Sequence, residues 1–246
     1  MTNQISFPNL GIHLSINRAA FTIGGFEVYW YGIIIGTGII LALLYGLYEF
    51  KRCKLSQDDL LNMFVICVPV AIICARIYYV AFSFDQYRGN LWEIFDIRNG
   101  GIAIYGAVIG VCIVVAVYCY VKKINMRLVL DILAVGLLIG QAVGRWGNFV
   151  NGEAFGTTTT LPWAMTITSD GHTYAEMVHP TFLYESLWNL VLLVILLLIR
   201  KRKKFEGEIF LLYLAGYGIG RAWIEGLRTD QLLIPGTSVA VSQVLA

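Results

Sequence analysis

The chain has 246 residues, of which 58% are hydrophobic and only 14% charged, with a formal net charge of +2. A water-soluble domain of this length needs a more polar surface, and so small a charge does not point to nucleic acid. The bilayer is the natural solvent. The five cysteines, Cys53, Cys67, Cys74, Cys112 and Cys119, lie in or beside apolar runs without CxxC spacing. They read as packing residues, and neither a metal site nor a cofactor is expected. Met1–Asn9 lacks the basic-then-apolar pattern of a cleavable signal peptide.

Residues 1–26, with Pro8 and Gly24–Gly25, read as an extended or interfacial lead-in. The first span is Val28–Phe50, long enough to cross a hydrocarbon core of about 30 Å. Trp30 and Tyr31 mark one interface, and Lys51, Arg52 and Lys54 the other. The second span, Leu60–Phe82, contains Pro69, which a helix bundle tolerates, and Arg76. A polar loop follows, and the third span runs from Gly101 to Val121. The fourth extends from about Arg127 to about Phe149. Asn151–His179 has no Lys or Arg, and its threonines and aromatics suggest a small folded cap with some strand. The fifth span is Phe182–Ile199 and the sixth Ile209–Leu227. The expected fold is an all-α integral membrane protein: one polytopic bundle with six apparent spans and a small extracytoplasmic cap at 151–179.

Eleven of the eighteen basic residues fall in three loops, 51–54, 122–127 and 200–204. The positive-inside rule places these in the cytoplasm, and the N-terminus and the 151–179 cap outside. Glycines at four-residue spacing, such as Gly106/Gly110 and Gly216/Gly220, read as close helix packing. No internal repeat is convincing, which weakens a transporter built from inverted halves.

The polar residues gather at the outer leaflet, chiefly in Gly144–Gly156, GRWGNFVNGEAFG. Helical spacing puts Gln141, Arg145 and Asn148 on one face. Taken alone, Arg145 supports two readings equally: a snorkelling or Glu153-paired side chain, and a fork for a phosphate or carboxylate. Asn148, Asn151 and Glu153 nearby shift the balance to function. In the sixth span Tyr217, Arg221, Glu225 and Arg228 share a face. Arg221 and Glu225 read as a stabilising pair. Arg228, with only Asp230 as a local partner, is a second phosphate candidate. For Arg76 an ion pair and a headgroup contact are both open. His179 reads as a cap or hinge of the fifth span, and Glu185 needs a partner from another helix. No nucleophilic cysteine, Ser-His-Asp order or metal cluster accompanies the arginines, so direct transfer between two bound substrates fits better than a covalent intermediate.

These residues resemble the bacterial prolipoprotein diacylglyceryl transferases. GRWGNFVNGEAFG is similar to that family's signature. YWYG at Tyr29–Gly32, ARIYYV at Ala75–Val80, GGIAIYGAVIG at Gly100–Gly110, HPTFLYE at His179–Glu185 and RAWIEGLRTD at Arg221–Asp230 resemble its other blocks, in family order. The resemblance implies transfer of a diacylglyceryl group from phosphatidylglycerol to the lipobox cysteine of a preprolipoprotein. A thioether forms and glycerol 1-phosphate leaves, at the outer face of the bacterial plasma membrane. On that basis Arg145 and Arg228 hold the phosphate, and Asn148 and Asn151 orient the glycerol part. Glu153 organises Arg145 or takes the thiol proton, and Tyr31 and Arg76 line the lipid side. Tyr105 stands where many members carry histidine. A tyrosine, with a reference pKa of about 10, is a poor base, so Tyr105 is expected to hydrogen-bond the headgroup. The family usually has seven spans, and this chain ends where a seventh would begin, at Ser242–Ala246. Two other classes make contrary predictions: a channel or transporter needs polar groups through the depth of several spans, and a non-catalytic lipid-binding subunit tolerates loss of Arg145 or Glu153.

Overall fold

The computed structural model describes residues 2–96, 100–169 and 171–229. The chain divides into two compact units, Met1–Gly46 with Leu130–Ala246, and Leu47–Val129. The seventh span expected from Ser242, and Asp230, lie outside the described residues.

The first unit begins with strands, which the all-α expectation did not include. β1 (Thr2–Phe7), β2 (Ile12–Asn17), β3 (Ala19–Ile23) and β4 (Phe26–Tyr29) occupy the stretch expected as a lead-in. Pro8 presets the turn after β1 and Gly11, at φ +65°, closes it with a bond from its N–H to the Pro8 carbonyl. β1 therefore folds back on β2, pairing Phe7 with Ile12. β3 and β4 meet across Gly24–Gly25, both at positive φ, as a two-residue turn between twisted strands requires.

The strands expected within 151–179 are β5 (Met165–Ser169) and β6 (His172–Val178). They do not form a sheet by themselves. β1 pairs antiparallel with β5, Ile5 opposite Ile167, giving the order β2-β1-β5-β6. Two short strands are marginal alone and gain stability from further strands and a buried face. That face is Ile5, Met165, Ile167, Ala175 and Val178, packed on Phe149 and Phe182.

Those two phenylalanines belong to α4 (Met126–Asn151) and α5 (Thr181–Ile199), so the sheet sits on helix ends. Farther along, Ala134, Val135 and Leu138 of α4 pack with Leu192 and Leu196 of α5 and with Ile209 and Tyr213 of α6 (Glu208–Glu225). Gly216 and Gly220 admit the bulk of Leu192 and Trp188, whose indole N–H donates to the Gly216 carbonyl at 2.9 Å. α1 (Trp30–Arg52) approaches α4 closely where Gly38 meets Gly140. At the other end of α4, buried Asp131 accepts from Lys203 Nζ at 2.8 Å and from the Gly207 and Phe210 N–H groups at 2.9 and 3.0 Å. It thereby caps the start of α6.

The second unit is built on α2 (Gln57–Phe82) and α3 (Ile104–Lys122). They touch most closely where Gly106 and Gly110 face Cys74 of α2, the packing role expected of those glycines. Pro69 lies inside α2 without ending it.

Helices α1 to α5 are each long and apolar enough to cross a bilayer. α6, the sixth apparent span, falls outside that group: its 18 residues include Glu208, Arg221 and Glu225. Large apolar side chains such as Ile73, Ile77, Leu198 and Ile219 point outwards and are exposed, as lipid solvation requires. The protein is a multi-pass membrane protein.

Candidate active site

α4 ends at the sequence VNGE, and the ending is a Schellman motif. The Glu153 N–H donates to the Asn148 carbonyl at 3.0 Å and the Gly152 N–H to the Phe149 carbonyl at 3.0 Å. Gly152 takes φ +68°, the left-handed conformation that glycine adopts without a Cβ penalty. The turn folds Glu153 back over the last helical turn. Its Oε1 accepts from Asn148 Nδ2 at 2.9 Å and from Asn151 Nδ2 at 3.3 Å. The Tyr174 hydroxyl of β6 fixes the turn from outside, donating to the Gly152 carbonyl at 2.9 Å. The same end of α4 is tied to the sheet by Asn3, whose amide donates to the Val150 carbonyl.

Arg145 lies one turn back on this face. It donates to Asn148 Oδ1 at 3.3 Å, and its main partner is Glu185 Oε2 at 2.5 Å. Among the described residues Arg145 does not pair with Glu153. Asn148 stands between them and bonds both. Arg145 of α4 is the partner from another helix that Glu185 of α5 was expected to need, and Glu185 serves more than one arginine. Arg221 Nη1 lies 3.3 Å from Glu185 Oε2, and Arg228 Nη1 lies 3.6 Å from Oε1. Arg221 also pairs with Glu225 at 2.5 Å, the i,i+4 contact expected. Arg228 Nε approaches Glu225 Oε2 at 4.0 Å.

The charge balance of this cluster decides what it can hold. Glu185 and Glu225 are each 4% exposed, and a carboxylate taken that far from water needs close cationic partners. Among the described residues, three guanidiniums and two carboxylates meet in this cluster. Arginine stays charged at any working pH and forks onto planar or tetrahedral oxyanions. Guanidiniums gathered in this way can hold an anion. Glu153 stands off it, exposed.

The remainder of the signature stretch holds Arg228 in place. The Thr157 N–H donates to the Leu227 carbonyl at 2.7 Å and the Gly156 N–H to the His179 carbonyl at 2.9 Å. Gly156 and Arg228 form a β-bridge. A methyl group on Gly156 would lie 2.7 Å from His179 Cβ and 2.9 Å from the Leu227 carbonyl oxygen, so only glycine fits between these two strands of chain. His179, read as a cap or hinge of α5, lies just before that helix: its carbonyl also accepts from the Thr181 N–H, and its ring Nδ1 lies 3.2 Å from the Tyr184 hydroxyl.

Tyr31, near the start of α1, packs its ring edge against Gly147, where a Cβ would come within 2.8 Å. A cleft of about 640 Å3 is lined by Tyr31, Asn151 and Glu153 together with Arg18, Tyr29 and Tyr174. Arg76 and Tyr105 belong to the second unit. Arg76 is 7% exposed and all five of its N–H donors are engaged: with the carbonyls of Glu93, Ile94, Asp96, Gly100 and Gly101, at 2.6 to 2.9 Å. Its guanidinium also lies over the Tyr87 ring. For Arg76, read as open to an ion pair or a headgroup contact, the partners among the described residues are these carbonyls, and it gathers the loop after α2. Tyr105 opens α3, partly exposed, with its ring 6.4 Å from that of Tyr78.

Sequence reasoning did not assign Glu185, Arg221, Arg18 or Tyr174 to the site. A carboxylate within an apolar helix was the available signal for Glu185, and Arg221 carried the matching one. Nothing in the sequence marks Arg18, between β2 and β3, or Tyr174, on β6.

The family model for prolipoprotein diacylglyceryl transferase matches residues 18–246. Three similar relatives are each named phosphatidylglycerol–prolipoprotein diacylglyceryl transferase. That of Clostridioides difficile is 46% identical over 89% of this chain and 86% of its own length. That of Limosilactobacillus reuteri is 44% identical over 97% and 89%, and that of Finegoldia magna 46% over 94% and 90%. The chain belongs to the prolipoprotein diacylglyceryl transferase family.

Proposed function

We propose that the arginine cluster binds the phosphate of phosphatidylglycerol while Glu153 receives the proton of the attacking thiol. The reaction moves the diacylglyceryl group from phosphatidylglycerol to a prolipoprotein cysteine, the first step of lipoprotein maturation. The observation that carries the residue assignment is the convergence of Arg145, Arg221 and Arg228 on Glu185 and Glu225, one asparagine away from an exposed carboxylate.

The thiol loses its proton to Glu153, and the thiolate attacks the glyceryl carbon that bears the phosphate ester. A C–S bond forms as the C–O bond breaks, and glycerol 1-phosphate leaves with the bonding electrons. The three guanidiniums stabilise the charge that grows on the phosphate, so a strong general acid is not needed. Asn148 and Asn151 orient the glycerol part and keep Glu153 in line with Arg145. A thiol has a reference pKa of about 8.5, so it is mostly protonated at neutral pH and a positioned carboxylate serves as the base that takes its proton during attack. Glu185 and Glu225 fix the three guanidinium planes. Tyr31 flanks the substrate at α1. Arg76 shapes its loop, and Tyr105 hydrogen-bonds a headgroup; both enter through the motif blocks they sit in. The basic loops 51–54, 122–127 and 200–204 support an outer-leaflet site in the plasma membrane.

The test is a transfer assay in detergent with labelled phosphatidylglycerol and a lipobox peptide. Glycerol phosphate release is expected to require both the peptide thiol and Arg145. Arg145→Ala is expected to lower kcat by about 10²–10³-fold. Release that persists with a Cys→Ser peptide, or an unchanged rate for Arg145→Ala, overturns the assignment.

A further inference from the structure

We propose that the cleft of about 640 Å3 lined by Arg18, Tyr29, Tyr31, Asn151, Glu153 and Tyr174 is the berth of the acceptor polypeptide, and that the phospholipid does not enter it. This rests on the transferase reading and adds which substrate stands on which side of Glu153.

The three arginines of the anion site are not in its wall. The ionisable group it shares with the reaction is Glu153, and that carboxylate is only half engaged. Asn148 and Asn151 both donate to Oε1, leaving Oε2 without a protein partner among the described residues. Arg18, the guanidinium in the same wall, donates to Asn3 Oδ1 at 3.3 Å, and an exposed carboxylate accepts from N–H and S–H donors. A peptide carrying a cysteine supplies both. The phosphate has a better place one asparagine away, among the guanidiniums.

The wall chemistry agrees. Tyr29 and Tyr31 are 49% and 39% exposed, and such rings offer large amphipathic contact surface at low entropic cost. At Gly32 the wall has no side chain and open space beside it, so a second backbone can approach. Arg18, Tyr29 and Tyr174 come from the strand region and not from the membrane helices, which suits a ligand with a polar backbone outside the hydrocarbon. Acyl chains need a different surface, and one exists. A groove of about 330 Å3, one turn deeper along α1 and α4, is lined by Ile34, Val143, Trp146 and Leu190 among others. The Trp146 indole N–H there is satisfied by Ser186 at 3.2 Å, and the Ser186 hydroxyl by the Ala142 carbonyl at 2.9 Å, so the groove presents little polarity to a ligand.

The test places the photoreactive residue benzoylphenylalanine at Val28, in the cleft wall, or at Leu190, in the groove. Each full-length protein is irradiated with phosphatidylglycerol and a lipobox peptide whose Cys→Ser change blocks transfer. Peptide adducts are expected at Val28 and lipid adducts at Leu190. Tyr29→Ala is expected to raise the peptide KM about five- to tenfold and to leave the phosphatidylglycerol KM within twofold. Peptide adducts at Leu190 but not Val28, or a Tyr29→Ala effect confined to the phosphatidylglycerol KM, overturn the cleft assignment while leaving transfer by the wild-type protein intact. Absence of transfer by the wild-type protein overturns the transferase reading itself, and this assignment with it.

Discussion

Replacing Glu185 by glutamine isolates the role of the carboxylate on which three arginines converge. The side chain keeps its size and an acceptor oxygen but loses the charge that meets Arg145 at 2.5 Å, Arg221 at 3.3 Å and Arg228 at 3.6 Å. At an effective dielectric constant of about 20, two unit charges 4 Å apart interact by about 4 kcal/mol. Removing one partner of a buried ion pair costs about 3–5 kcal/mol, because the other charges stay buried. For a chain of this size each kcal/mol moves the unfolding temperature by about 2–4 °C, so Glu185→Gln is expected to lose roughly 10 °C in detergent and remain folded.

The kinetic signature is sharper than the stability loss. Loss of one negative charge from the cluster favours the anionic phosphate in the ground state, while the guanidiniums lose the group that aligns them. The expected result is kcat down by about 10²-fold with the phosphatidylglycerol KM unchanged or lower. Thermal unfolding and initial rates at varied lipid read both quantities. A kcat within threefold of wild type in a folded variant refutes the role given to Glu185. So does a loss expressed only as a higher KM.

Gly156→Ala drives a methyl group to 2.7 Å from His179 Cβ and 2.9 Å from the Leu227 carbonyl. It should displace Arg228 and cut kcat at least tenfold, with helix content by circular dichroism retained. Arg76→Lys replaces five directed donors by three on a flexible stem. It is expected to cost about 2–4 kcal/mol and to expose the loop after α2 to limited proteolysis. Burial raises the Tyr174 phenol above its usual value, with Arg18 opposing in part. The unfolded chain thus gives up this proton first, so the contribution is fully present below pH about 10 and is lost as pH rises through the folded value. Tyr174→Phe should lower stability at pH 7 by about 0.5–1.5 kcal/mol and flatten the alkaline decline, as read by unfolding temperature against pH.

Much of this architecture was legible in the residues because its signals are local. Apolar length fixed the helices, basic clusters marked the loops between them, and paired glycines marked close packing at Gly106/Gly110 and Gly216/Gly220. The Schellman end of α4 is also local: a glycine after Asn151 is enough to reverse the chain and bring Glu153 over Asn148.

What the residues did not disclose depends on contacts between segments distant along the chain. β1 joins β5 across more than 150 residues, and hydrophobic alternation in six residues cannot say which strand will be its neighbour. Arg76 carries a charge that suggested a ligand or an ion pair, yet backbone carbonyls of a loop about 20 residues away consume every donor. Arg145 was placed on the correct helix face, but its partner could not be chosen between Glu153, eight residues on, and Glu185, forty residues on. Helical spacing fixes a direction around one axis and nothing about what faces it. The sequence by itself thus determined a membrane protein with a polar signature at one end of its fourth helix. Only the tertiary structure decided that α4, α5, α6 and the turn after α6 bring three guanidiniums onto two buried carboxylates, because burial forces those charges to find each other and local spacing does not record where.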